Sequence, residues 1–117
     1  MTEEKIIEMF HFMWDNVPGL VRLIRKDRTV VAVNQTAMLL GYPVGVRCID
    51  APPLEGHKGC RAGEALAEQV AKLDSPRSGQ VRFWIPLTDD LYVHFSVMDS
   101  ESGWNFKSTP FPGLNAK

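Results

Sequence analysis

The chain has 117 residues, 44% hydrophobic and 23% charged, with a formal net charge of −1. That length suits one domain around one core, and the near-neutral balance excludes the basic footprint of a nucleic-acid binder or of a protein drawn to anionic lipid. No apolar run reaches the roughly 20 residues of a membrane span, the acidic start Met1-Thr2-Glu3-Glu4 is unlike a secretory signal, and two cysteines are too few for a disulfide framework, so a cytoplasmic setting is expected.

Residues 2–16 read as a helix. Thr2 suits its N-cap, Glu3 and Glu4 complement the positive end of its dipole, and Ile6, Phe10, Met13 and Val17 recur at helical spacing. Ile7, Phe12 and Trp14 widen the apolar surface beyond one face, which predicts a homodimer interface; a helix lying across its own sheet is the simpler alternative. Pro18-Gly19 ends the helix. "LVRLIR" (20–25) and "TVVAV" (29–33) form a hairpin around Lys26-Asp27-Arg28. Asn34 fits the N-cap of a short helix over "QTAMLL", and Gly41 the left-handed residue that stops it. Pro52 and Pro53 keep the Cys48–Cys60 stretch irregular, with at most single helical turns.

A longer helix is predicted over about Ala62 to Leu73. Ala62, Ala65, Leu66, Gln69, Val70 and Leu73 form its inner face, and Glu68 and Lys72 pair at i,i+4 outside. "QVRFWIPL" (80–87) and "LYVHFSVM" (91–98) then alternate strictly, with Val81, Phe83, Ile85 and Leu87 on one face of the first and Leu91, Val93, Phe95 and Val97 on one face of the second. "WNFKST" (104–109) reads as a weaker fifth strand. The order predicts an α+β fold: a five-stranded antiparallel sheet with central helices on one face and an N-terminal flanking helix.

This order, together with "RLIRKDRTVVAVNQTAMLLGY" (22–42), resembles a PAS domain, in which a first hairpin leads into an asparagine-capped helix ending in Gly-Tyr or Gly-Phe, here Asn34 and Gly41-Tyr42. Val44-Gly45-Val46-Arg47-Cys48 matches the step that opens the family's central helices. The Asp-Gly turn usual in the first hairpin is replaced by Asp27-Arg28. A subset of bacterial sensor PAS domains, with a histidine and further cysteines after that step, is similar in layout to Cys48, His57 and Cys60. The resemblance implies a flanking helix over 1–17, a PAS domain over 18–109 and a tail over 110–117. It also implies a sensory or regulatory module of the kind used in two-component or cyclic-nucleotide signalling. With no output segment after residue 109, the chain is expected to stand alone or to be a piece of a larger sensor.

The expected pocket lining is Met38, Cys48, His57, Leu66, Val70, Phe83 and Phe95, a set of adaptable apolar side chains. No cofactor is assigned. Zinc would need Cys48, His57 and Cys60 with Asp50 or Glu55 as the fourth ligand, and no Cys-x-x-Cys pair supports it. Haem would take His57, or else His94, as its axial ligand, but Gly56 and Lys58 flank His57 as they would a surface residue. Gly45–Cys48 resembles the Gly-x-x-Cys of flavin-binding light sensors, yet Arg47 stands where that subset has asparagine. A thiol sensor would use Cys48 and Cys60 with Arg47, Lys58 and Arg61 nearby, whereas the preferred reading makes the cysteines small apolar fillers of one cavity wall. The rival class, a small isomerase-like enzyme, would need a buried Asp or His as general base, with His94 and Asp99 as the candidate pair; no motif frames them and Asp99 falls at a turn, so a non-enzymatic role is expected.

Overall fold

A computed structural model describes residues 1–50, 59–76 and 78–98. Helix α1 spans Glu3–Trp14, and the Thr2 side chain accepts the Lys5 N–H at 3.2 Å as its cap. Strands β1 (Leu20–Arg25) and β2 (Val30–Val33) form the expected hairpin, with a register shift between Leu23 and Ile24. Asp27 accepts the Thr29 N–H at 2.9 Å inside the turn, and Arg28 takes the positive φ of 79° that glycine usually supplies there.

Helix α2 (Gln35–Leu39) is capped by Asn34 and stopped at Gly41, whose φ is 90°. The Gly41 N–H returns to the Met38 carbonyl and the Tyr42 N–H to the Ala37 carbonyl, both at 3.0 Å, which closes the helix end without leaving those carbonyls orphaned. The following loop lies along the hairpin. Val30 exchanges two bonds with it (Val30 N–H to the Val46 carbonyl at 2.9 Å, Gly45 N–H to the Val30 carbonyl at 2.8 Å) before a single 3₁₀ turn at Cys48–Asp50.

The predicted long helix is shorter than its periodicity suggests. Helix α3 is Ala62–Glu68; Gln69 turns left-handed (φ 52°) and the Val70 N–H reaches back to the Ala65 carbonyl. Lys72–Asp74 is then not helix but strand β3, paired with β4 (Gln80–Pro86). The anticipated Glu68–Lys72 ion pair forms at 2.6 Å, across the helix-to-strand turn rather than along one helix. Strand β5 is Leu91–Met98. The sheet is five-stranded and antiparallel throughout, in the order β2-β1-β5-β4-β3. Among the described residues its fifth strand is β3; the strand expected at 104–109 lies outside them.

Both faces of the sheet are covered. On one, α2, the 3₁₀ turn and α3 bring Ala37, Cys48, Ala62 and Ala65 onto Ile24, Val30, Trp84 and Tyr92. The small alanines let α3 approach the aromatic rings closely. On the other, α1 lays Ile6 and Phe10 over Val21, Leu23, Leu91 and Val93. So α1 lies across its own sheet, and its outward side leaves Phe12 92%, Met13 63% and Met9 43% exposed. Among the described residues no helix is long and apolar enough to cross a membrane.

Candidate functional site

The site is the face of the sheet that α2, the 3₁₀ turn and α3 cover. Alternation along each strand decides which residues reach it. Arg22 and Ile24 on β1, Tyr92, His94 and Ser96 on β5, and Arg82 and Trp84 on β4 share this side, since Arg22 is in register with His94, His94 with Trp84, and Ser96 with Arg82. The loop hydrogen bonds described above, with the Cys48 N–H donating to the Arg28 carbonyl at 2.7 Å, seat Cys48 over the sheet. There its Sγ is 4.0 Å from the Tyr92 hydroxyl.

Burial raises the Cys48 thiol above its ordinary range, against the pull of Arg22 and the Tyr92 hydrogen bond. Burial also pushes the Tyr92 phenol up, so both groups are neutral at physiological pH. Cys60 is exposed, close enough to act electrostatically on both, and both cysteines are free thiols. A thiol held protonated by burial is a poor nucleophile, which supports the filler reading of Cys48 over a reactive one.

Charge and aromatic rings interleave along the rest of the face. Arg82 is gripped by Asp74, its register partner on β3, through two bonds of 2.9 and 2.6 Å, and its guanidinium lies 5.0 Å from the Trp84 ring centroid. Trp84 stacks on His94 with centroids 5.0 Å apart, and the His94 Nδ1–H donates to the Phe83 carbonyl at 3.0 Å. Arg22 sits 5.4 Å from the Tyr42 ring centroid and Arg28 sits 5.7 Å from that of Tyr92.

Asn34 joins this side to the rest of the molecule. It is fully buried; its oxygen accepts the Ala37 N–H at 3.0 Å and the Val21 N–H at 3.2 Å. Its amide faces the carbonyls of Trp14, Val17 and Gly19 at 3.0, 3.3 and 3.0 Å. One side chain therefore ties the end of α1, the linker, β1 and the start of α2.

The expected lining divides. Cys48 is buried in the site and Leu66 packs beside it. Phe83 and Phe95 point the other way: they pack on each other with centroids 5.7 Å apart, and Phe95 meets Trp14 of α1 edge-on, also at 5.7 Å. Alternation had sorted the two sets of side chains correctly, but the larger apolar set belongs under α1. Met38 and Val70 are 58% and 54% exposed: Met38 lies on the outer side of α2, and Val70 lies past the left-handed Gln69 that ends α3. His57, Glu55 and Asp99 lie outside the described residues. Among the described residues no three histidine, cysteine or acidic side chains converge as metal ligands would. Arg22, Tyr42, Arg82 and Trp84 were missed. The signal was an arginine interrupting "LVRLIR" and an aromatic and ionisable set alternating with the apolar one in 80–98.

No protein-family model matches the chain, and no curated protein matches it. Among solved structures, a sensory box sensor histidine kinase from Vibrio cholerae is similar in fold, with a TM-score of 0.59 and 16% identity over 81% of this chain and 90% of that one. The chain therefore has a PAS-type, sensory box fold, as the Asn34-capped helix stopped at Gly41 and the strand order around it led us to expect.

Proposed function

We propose that the chain is a cytoplasmic sensory and regulatory module that acts by binding rather than by catalysis. A small molecule or partner settles on the face lined by Arg22, Cys48, Trp84, Tyr92 and His94 and favours one arrangement of the helices over another. The observation that carries this reading is Asn34, which hydrogen-bonds both the cap of α2 above that face and the carbonyls that end α1. A shift of α2 therefore pulls on α1. The exposed row of Met9, Phe12 and Met13 on α1 is the surface on which a second copy of the chain docks, so the change is read out through a homodimer.

Light scattering on the full chain, with and without the paired changes Phe12→Ser and Met13→Ser, tests the dimer. The wild type is expected at twice the chain mass and the variant at the chain mass, with the same circular dichroism. A monomeric wild type, or a variant that keeps the wild-type mass, overturns it. Thermal unfolding against a broad set of small molecules tests the sensing role: a bound ligand raises the midpoint, and a flat response across the set removes that part of the proposal.

A further inference from the structure

The helix-covered face carries more positive charge than packing requires. Arg82 is answered by Asp74. Arg22 and Arg28 are not: among the described residues neither has a carboxylate partner, and the hydrogen bond of the Arg28 guanidinium goes to the Lys26 carbonyl at 2.7 Å. Each is instead laid against a tyrosine ring, Arg22 on Tyr42 and Arg28 on Tyr92. The Cys48 N–H donates to the Arg28 carbonyl at 2.7 Å and its Sγ is 4.0 Å from the hydroxyl of the tyrosine that Arg28 covers, and both guanidiniums lie within electrostatic reach of the thiol. Guanidinium keeps its charge at any physiological pH and presents a planar fork of donors that suits an oxyanion. Beside a largely buried surface such a charge attracts a counter-anion more strongly than it would in open water.

We infer that Arg22 and Arg28 are the anion-recognising pair of this face, held in place by Tyr42 and Tyr92, and that the ligand is a small organic molecule bearing a carboxylate or a phosphate. The inference rests on the reading above that a small molecule binds here, and it names the chemical class of that molecule.

Matched probes separate the two. Benzoate, benzamide, phenyl phosphate and inorganic phosphate are titrated at constant ionic strength into the full chain and into Arg22→Gln and Arg28→Gln, with thermal midpoints and calorimetry as readouts. Benzoate or phenyl phosphate is expected to raise the midpoint saturably, and neutral benzamide is not. Each glutamine variant should keep the ligand-free midpoint and lose about 10-fold in affinity, the scale of one charged hydrogen-bonding contact. Whichever of benzoate and phenyl phosphate binds tighter identifies the anion. Benzamide binding as well as benzoate, or anion affinity unchanged in both variants, overturns the arginine pair while leaving a small-molecule site. Absence of binding by every probe overturns the inference and counts against the sensing role as well.

Discussion

On the α1 side of the sheet, Val21, Leu23, Leu91 and Val93 meet Ile6 and Phe10, and every one of these side chains is apolar. On the other side, Arg22, Arg82, Tyr92, Trp84 and His94 stand among the helices with a buried thiol and a buried asparagine cap. An aliphatic surface needs only to be covered, and any helix with a matching stripe does so. A surface of guanidiniums, phenol and imidazole is different, because each polar group removed from water must find a partner. The apolar residues of the first face are explained by packing alone. The second carries Arg22 and Arg28, which have no carboxylate partner among the described residues, and this is why it is proposed as the binding surface.

The comparison is broken most severely where the two sides are joined. Asn34→Ala should lower stability by about 4 kcal/mol in urea unfolding, because two buried N–H groups lose their acceptor and three carbonyls lose a shared donor. A loss under about 1 kcal/mol would mean the sides are not mechanically coupled through this residue. Next, Phe10→Ala should cost about 3 kcal/mol, as for a buried aromatic whose cavity partly collapses, whereas Arg22→Leu should be neutral or slightly stabilising because it removes a charge that has no carboxylate partner among the described residues. Equal destabilisation by both would erase the distinction between the faces.

The smallest effect sharpens the α1 side. Arg25 donates to both Glu3 oxygens, at 2.8 and 2.7 Å, and this pairing holds the Glu3 carboxyl below its ordinary 4.5. A carboxyl depressed in the folded state stabilises above its unfolded pKa and loses that contribution as the pH falls through the folded one. Glu3→Gln should therefore lower the midpoint slightly at neutral pH, and the gap should be smaller in acid, below the unfolded carboxyl's pKa of about 4.3. A gap of the same size at both pH values would show that Glu3 acts through packing and not through charge.

Much of the fold was legible because its signals are local. Thr2, Asn34 and Gly41 each cap or stop a helix by bonds within a few residues, so the sequence around them is sufficient to place α1 and α2. The β3 error shows the opposite case. Apolar spacing runs on helically from Ala62 to Leu73, and nothing nearby announces that Gln69 turns left-handed. What makes Lys72–Asp74 a strand is its pairing with Phe83, Trp84 and Arg82, about ten residues away, and the grip of Asp74 on Arg82.

By itself the sequence determined the α+β class, the first helix, the hairpin, the capped α2 and the two alternating sets of side chains in the last described strands. Only the tertiary structure decided which set faces α1 and which faces α2 and α3. The reason is physical: a period of two assigns side chains to opposite sides of a strand but says nothing of which layer will cover each side. Here both sides are covered, so the apolar character of a set did not tell which layer would lie over it. Phe95 went under α1 with Phe83 packed on it, and Arg22, Trp84, Tyr92 and His94 were left on the side of α2 and α3.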